Sequence, residues 1–521
     1  MARTGRIYLA KNIKLDKNYK SVLNYTENQM INLITDSANL VYSALNYQFI
    51  RDRGTIQVNA PYSQVIQANY MAFQNPDYSN KYFFAFIDEV KYLSPNASEI
   101  VYTVDIWSTW WSYWSPKACF VLREHVTDDT IGSNTVPENL ELGEYLCNEY
   151  SSDTQLTTLS FVIQVSEWIS DVGNPLATSF GGIPMAGGAY IVNTTQELVN
   201  IIQAYQNGRE DAILNVYVVP SKIINNTSGS AQYSGQNSPV SYTIQISKPT
   251  KLDNYTPINK KLLTYPFCYM ILDNNNGSSN ILQYERFTTT NCTFDVSGVP
   301  VCGGSIKCTP TSYKSVNNYQ QEGIMAGKFP TLSWSNDPYT NWLTQNAVNL
   351  GLGVTSAGLT IAGGIGMMAT GGGALAGAGA IISGGMSIAQ IMGQKYQHSI
   401  MPRSAEGNIN GGDINTCADK NTFFFYKMSI SYEFASRIDQ YLTRMGYAVN
   451  KVKVPNMSGR TNYNFVQVAN DDNLAYPNNY NNICLPANAL DTINTLFRNG
   501  ITIWNNHANF GDYSVSNVIV S

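Results

Sequence analysis

The chain has 521 residues, of which only 13% are charged, and its formal net charge at pH 7 is −5. An ordinary soluble domain carries about 25% charged residues; here uncharged polar and aromatic residues, including 57 Asn and 35 Tyr, make up the difference. The hydrophobic content of 44% excludes a wholly disordered chain. The shortage of Lys and Arg argues against a protein that grips nucleic acid through its phosphates.

The first part of the chain reads as a series of β-strands. Aromatic and β-branched runs separated by Pro, Asn and Gly are typical of hairpins. Such runs predict strands over residues 42–50, 64–74, 81–90 and 98–107.

Four tryptophans follow at Trp107, Trp110, Trp111 and Trp114. Exposed, they would form a platform on which sugars stack; buried, they would form an aromatic core at the edge of a strand or helix. Because large aromatic side chains dominate cores, we expect the packed core.

The later parts also favour strands, over 212–219 and 422–431. The run 435–444 places Ile438, Tyr441 and Leu442 at helical spacing, and Gly446 is expected to end that helix. The fold class predicted from these patterns is mainly β and multi-domain.

One stretch differs from all the others, because residues 338–394 contain no Asp, Glu, Lys, Arg or His. We call these 57 residues the hydrophobic segment. A flexible linker would lack large apolar side chains, and a surface helix would carry a polar face. The core of the segment, residues 350–393, instead combines 14 Gly with 15 large aliphatic or Met residues.

Its length suits two membrane crossings. About 20 apolar residues span a bilayer as a helix, and residues 350–370 and 374–393 supply 21 and 20. The predicted turn between them is Gly371, Gly372 and Gly373. The predicted membrane-inserting residues are Leu350, Leu352, Val354, Leu359, Ile361, Ile365, Met367, Met368, Leu375, Ile381, Ile382, Met386, Ile388, Ile391 and Met392.

Small residues recur in this region at four-residue spacing, for example Gly373 with Gly377 and Gly385 with Ala389. Such ridges let helices approach closely in lipid, whereas Gly and Ala by themselves drive insertion weakly. Three interpretations are open: a Gly-rich buried loop, a permanent two-span anchor, and an element stored in a dry place and released into a membrane. We favour the third, because the large Tyr- and Asn-rich flanks lack the Lys/Arg bias of an anchor.

Motifs for other chemistry are missing from the sequence. The three histidines, His125, His398 and His507, lie far apart, and the eight cysteines have neither zinc nor disulfide-framework spacing. We expect His125 to be a hydrogen-bonded structural residue at a strand end, and the cysteines to be free thiols. No catalytic residue, metal ligand or cofactor is predicted. No apolar stretch follows the basic residues at 11–20, so a secretory signal peptide is not expected.

Four runs of residues carry a resemblance to a known family. Residues 70–87, 102–110 and 120–125, together with Tyr441-Leu-Thr-Arg-Met-Gly-Tyr-Ala-Val-Asn450, resemble the distal tail tube, or tail knob, proteins of small short-tailed, protein-primed phages of the picovirus type. The resemblance is closest over 70–125 and 436–468, and its layout covers most of the chain.

The resemblance implies four parts. Residues 1–150 and 397–521 would form N- and C-terminal β tube domains, 151–335 a middle knob domain, and 336–396 a long Gly/Ala-rich hydrophobic loop. It also implies a homohexamer at the distal end of the virion tail, in contact with other tail proteins.

In such a hexamer six hydrophobic loops would plug the tube. On infection they would leave it, enter the host cytoplasmic membrane and form a pore through which phage DNA passes without specific binding. Two other functions remain open: a cell-wall hydrolase using two carboxylates brought together by the fold, and receptor binding through residues 150–330.

Overall fold

A computed structural model of the protein shows two compact units. Unit 1 consists of residues 1–141, 257–262 and 433–521, and unit 2 of residues 142–256 and 263–432. The structure describes residues 2–50, 52–156, 159–167, 169–170, 177–180, 183–193, 195–205, 209, 212–223, 240–274, 279–298, 305–314, 331–333, 422–470, 474–478 and 483–520.

The secondary structure is dominated by strands. The chain begins in unit 1 with β1 (Ala2–Ala10), β2 (Ser21–Leu23), α1 (Glu27–Thr35), β3 (Leu40–Ile50), β4 (Thr55–Val58), α2 (Tyr62–Val65), β5 (Tyr70–Asn75), β6 (Lys81–Ser94), β7 (Ala97–Val104), α3 (Ile106–Trp110), β8 (Trp114–Pro116) and β9 (Cys119–Glu124). Unit 2 contains β10 (Tyr145–Ser152), β11 (Leu159–Val165), β12 (Ala177–Phe180), β13 (Ile183–Val192), α4 (Thr195–Tyr205), β14 (Ile213–Pro220), β15 (Val240–Ser247), β16 (Cys268–Asp273), β17 (Ser279–Leu282), β18 (Asn291–Gly298), β19 (Ser305–Thr311), β20 (Thr331–Ser333) and β21 (Phe424–Ile430). The chain returns to unit 1 with α5 (Tyr432–Met445), β22 (Tyr447–Lys453), β23 (Tyr463–Val468), β24 (Ala475–Pro477), α6 (Ala487–Asn499) and β25 (Ile501–Trp504).

Six strands of unit 1 close into a barrel in the order β1-β3-β4-β7-β6-β5. All neighbouring strands are antiparallel. The core side chains Ile7, Leu9, Ile56, Met71 and Ile100 are fully buried. Closure leaves the barrel without the free edges of an open sheet.

The strands predicted at 42–50 and 81–90 are confirmed by β3 and β6. The strand predicted at 98–107 is confirmed by β7 as far as Val104 and is wrong at its end, because Asp105 caps α3 and Ile106 and Trp107 belong to that helix. The strand predicted over 64–74 is wrong in its first half, which belongs to α2 and a turn before β5. Local bonds decide this difference: the Gln64 N–H donates to Pro61 O and the Ile66 N–H to Tyr62 O, both at 3.0 Å. Those amides are therefore not available to a strand partner.

The second sheet of unit 1 has the order β2-β25-β23-β9-β22 and joins the two ends of the chain. β9 pairs antiparallel with both β22 and β23, and β2 pairs parallel with β25. Strands from the N-terminal and C-terminal parts of the sequence thus belong to one sheet and one unit.

The predicted helix at 435–444 is confirmed by α5, and Gly446 lies directly after its last residue. The Gly446 N–H donates to Leu442 O at 2.9 Å, and its φ of +64° is a left-handed value that favours glycine. A Cβ at this position would lie 2.2 Å from Glu124 O at the end of β9. Glycine is therefore required here by the backbone conformation and by the close approach of a strand.

The described residues of unit 2 form three four-stranded sheets. Their orders are β10-β21-β16-β17, β12-β13-β11-β14 and β15-β18-β19-β20. The strands predicted at 212–219 and 422–431 are confirmed by β14 and β21. With the barrel and sheets of unit 1, these sheets confirm the mainly β, multi-domain fold class.

Replacing Gly446→Ala should lower the free energy of unfolding by several kcal/mol, because the left-handed conformation alone costs about 1–2 kcal/mol and the clash with Glu124 O adds to it. The matched control is Gly54→Ala, since Gly54 has a φ of +66° and a Cβ there would meet no atom within 4 Å. Denaturant titrations of both variants measure the difference. Equal losses of stability would contradict the close approach.

Candidate functional site

The hydrophobic segment lies outside the described residues. So do all of its predicted membrane-inserting residues and the turn at 371–373, and these assignments stay predictions. The described chain before it ends with β20, and the described chain after it starts at Thr422, both in unit 2. The structure therefore describes the two strands between which the segment is inserted, β20 and β21.

The point at which the chain resumes is held by Asp153, which follows β10. The Thr422 hydroxyl donates to the Asp153 carbonyl at 2.6 Å, and the Asp153 N–H donates to Phe423 O at 3.0 Å. The Phe423 side chain is fully buried. Both backbone groups of Asp153 thus bind the first two described residues after the segment.

The carboxylate of Asp153 is itself buried, with 5% of the residue exposed. It accepts hydrogen bonds from the Tyr242 hydroxyl and from the Gln155 N–H at 3.0 Å. Burial raises the pKa of Asp153, although these donors act in the opposite direction. The folded unit therefore holds a proton on Asp153 more readily than the unfolded chain does. Protonation of this carboxyl thus raises the free energy of unfolding as the pH falls.

Beyond this point β21 is anchored through Phe425 and Lys427, which lie on its buried face. Phe425 packs against Phe294 of β18 with ring centroids 4.8 Å apart. The Lys427 ammonium donates to Glu149 at 2.8 Å and to the Ser247 hydroxyl at 3.0 Å. The strand that receives the segment is thus a packed, central strand, which suits it to serve as a fixed attachment.

The opposite face of the same sheet is rich in aromatic and aliphatic side chains. Register pairs Tyr150 with Tyr426, Tyr426 with Ile271, and Ile271 with Ile281, so these four residues form one row across the sheet. Met428 and Tyr269 form part of a second row. This surface was not predicted, although the alternation of residues 424–428 is a period-two pattern that indicates a two-faced strand.

The tryptophan cluster is a packed core, as predicted. Trp107, Trp110 and Trp114 are 1%, 3% and 5% exposed. Trp111 stacks on Trp107 at 4.6 Å between ring centroids, and Phe497 of α6 packs against Trp114 at 5.6 Å. The arrangement presents no open platform for a sugar.

His125 is a satisfied structural histidine, as predicted. Its Nδ1 accepts from the Phe465 N–H at 2.7 Å, so the proton lies on Nε2, which donates to Thr443 O at 2.9 Å. Burial lowers its pKa to about 4. The side chain thus joins β23 to α5 in its neutral form.

Six of the cysteines fall within the described residues, and none of these six forms a disulfide. Four are buried: Cys119, Cys268, Cys292 and Cys308. Cys147 and Cys484 are exposed. Among the helices that the structure describes, none combines the length and the apolar character needed to cross a membrane.

Acid should destabilise unit 1 through His125. The unfolded imidazole takes up a proton below pH 6.5 and the folded one only near pH 4, so stability is lost as the pH falls across this window, by about 3 kcal/mol. Urea titrations at pH 4–7 of wild type and His125→Asn should show a weaker pH dependence in the variant. His507→Asn, at a half-buried imidazole, is the comparison and should change it less. An unchanged pH dependence in His125→Asn would refute this assignment.

Comparison with known proteins identifies two matching family models. Residues 230–518, more than half of the chain, match the C-terminal domain of the Bacillus phage phi29 tail knob protein gp9. Residues 3–114 match the caudoviral major tail protein N-terminus.

Individual relatives agree with these matches. The tail knob protein gp9 of Bacillus phage phi29 is 22% identical, with 90% of each chain covered, and that of Bacillus phage B103 is 21% identical, with 89% of this chain and 90% of the relative covered. The structure of the bacteriophage C1 tail knob protein gp12 is similar in fold, with a TM-score of 0.59 and 15% identity over 99% of this chain and 100% of that one.

Proposed function

The chain belongs to the phi29 tail knob protein family, and on that premise we propose that it forms a homohexameric tube whose hydrophobic segments enter the host cytoplasmic membrane. It is a structural protein of a phage tail, and its relatives are named as tail knob proteins, not as enzymes. In the resting virion the six segments close the bore. On infection they move into lipid and line a pore through which the genome passes.

The observation that carries the proposal is the absence of Asp, Glu, Lys, Arg and His from residues 338–394. Full burial of a large apolar side chain is worth about 1.5–3 kcal/mol, so the 15 of them together are worth on the order of 20–40 kcal/mol. A surface of this size is not left in water by a soluble protein. A closed bore and a bilayer are the two dry places that a tail tip offers.

The attachment points suit a segment that moves while its ends stay in place. It is inserted between β20 and β21, and β21 is held by the Phe425–Phe294 contact and the Lys427 bonds. The tube would come from residues 1–150 and 397–521, and the knob from 151–335. Unit 1, in which both ends of the chain share a sheet, supports a tube built from both ends, whereas β10 and β21, which fall within the proposed tube ranges, belong with β16 to one sheet of unit 2.

A switch of this kind needs a signal that favours the membrane state over the stored one. Since residues 338–394 contain no Asp, Glu, Lys, Arg or His, a fall in pH below neutral does not change the charge of the segment directly. Push from the genome or contact with the cell surface remain as direct triggers. The low charge and the net charge of −5 suit a bore that lets a polyanion slide without binding it.

Dye release from liposomes tests the pore. Full-length protein should release an entrapped dye, and deletion of residues 350–393 should abolish release. Ile365→Lys and Ile388→Lys should each reduce it at least tenfold, because one cation at the bilayer centre costs about 2.5–3.5 kcal/mol. Leu45→Lys, at a barrel residue that is 74% exposed, is the matched control and should release as wild type does. Equal release by all variants, or none by any under every trigger tried, would exclude the pore.

The ring is tested separately by electron microscopy of the purified protein. Class averages should show six-fold rings with an occluded centre, and the 350–393 deletion should show the same rings with an open one. A monomer at every concentration in sedimentation would contradict the hexamer.

A further inference from the structure

Four chain connections join unit 1 to unit 2. The residue ranges of the two units place these connections after residues 141, 256, 262 and 432. The residues of unit 1 that lie next to the connections share one buried network of polar side chains. We call this network the junction clamp and define it by Glu138, Asn259, Lys261, Asp439 and Tyr447.

Glu138 holds the first and the third connection. It lies just before the first connection, in residues 125–144, which belong to no helix or strand. Its side chain is nevertheless buried, pairs with the buried Lys261 ammonium and accepts the Ala448 N–H at 3.0 Å. Because Lys261 lies next to the third connection, one carboxylate fixes two of the four.

Asp439 holds the other two connections. This residue of α5 is fully buried, and its carboxylate accepts the Ile258 N–H at 2.7 Å and the Asn259 N–H at 3.0 Å. Ile258 and Asn259 come just after the second connection, and α5 begins at the fourth. A second carboxylate therefore fixes the remaining pair.

The two carboxylates belong to one continuous network. The Asn259 side-chain amide donates to the Asp439 carboxylate at 2.7 Å. The Tyr447 hydroxyl lies 3.3 Å from Asn259 Oδ1, and the Lys261 ammonium lies 5.2 Å from the centre of the Tyr447 ring. Each member of the clamp thus contacts another member, and the members of such a buried network support one another.

We propose that the junction clamp couples the four connections, so that none of them loses its contacts in unit 1 while the others keep theirs. Removing one partner of a buried ion pair leaves an uncompensated charge, which is strongly unfavourable. Loosening at one connection therefore weakens the contacts that hold the rest. Unit 2 carries both strands between which the hydrophobic segment is inserted, so the clamp keeps the unit that bears this segment attached at all four connections together.

Hydrogen exchange of the full-length protein, resolved to single residues and measured without lipid, tests the coupling independently of the pore. Two amides report on opposite ends of the clamp: the Ala448 N–H, bonded to Glu138, and the Asn259 N–H, bonded to Asp439. Glu138→Gln should speed the exchange of Asn259 at least tenfold, and Asp439→Asn should speed that of Ala448 at least tenfold. In each case the reporter is at the end of the network away from the substitution, where local opening is measured by the exchange rate.

Glu433→Gln is the matched control, because Glu433 forms an exposed ion pair with Arg437 on the same helix, α5. This substitution should leave both reporters unchanged. A third amide detects a general loss of stability: the Asp105 N–H, which donates to Phe84 O of the barrel at 2.8 Å, should keep its exchange rate in every variant.

Tyr447→Phe provides a milder variant in case either carboxylate substitution prevents folding. It removes the hydroxyl at the centre of the clamp and should speed both reporters.

Three results would overturn the inference. Faster exchange only at the amide beside each substitution would show separate contacts without coupling. Unchanged exchange at both reporters would show that the network does not hold the connections. Equal acceleration of the Asp105 N–H would show a general loss of stability instead of an opened clamp.

Discussion

The pairing of β9 with β22 and β23 is the interaction on which the rest of unit 1 depends. It joins residues 119–124 to strands more than 320 positions later in the chain. Two neighbouring side chains secure it from within: Glu124, fully buried, pairs with Lys453 and accepts the Asn456 N–H, and His125 bridges β23 and α5. Gly446 lets α5 end against the same strand. Residues 142–432 form unit 2, except for the short segment 257–262, which belongs to unit 1.

The short segment 257–262 is held by polar contacts inside unit 1. The buried Asp439 carboxylate of α5 accepts the Ile258 N–H at 2.7 Å and the Asn259 N–H at 3.0 Å. Lys261 pairs with the buried Glu138, which also binds Arg123. Such buried charges are tolerated because each has partners. These hydrogen bonds and ion pairs fix residues 257–262 to the rest of unit 1 at specific positions.

Protons act in opposite directions on one buried group of each unit. A lower pH removes the stability that neutral His125 contributes to unit 1, whereas the buried carboxyl of Asp153 in unit 2 favours its protonated form. The chain resumes beside Asp153 through Thr422 and Phe423.

Composition and local periodicity were enough to predict the mainly β class, the strands β3, β6, β7, β14 and β21, the helix α5 with its glycine end, and the ion-free stretch at 338–394. These features depend on neighbours within one or two turns or on the residue types themselves. The wrong strand prediction in the first half of 64–74 also has a local cause. The hydrogen bonds to Pro61 O and Tyr62 O form a helical turn there, although the apolar run favours a strand. Only the tertiary structure decided the shared sheet of the chain ends, the buried setting of Asp153 and the row of Tyr150, Tyr426, Ile271 and Ile281 across one sheet. Each of these requires the register between strands that lie far apart in sequence, and no local pattern specifies which distant strand will supply the partner.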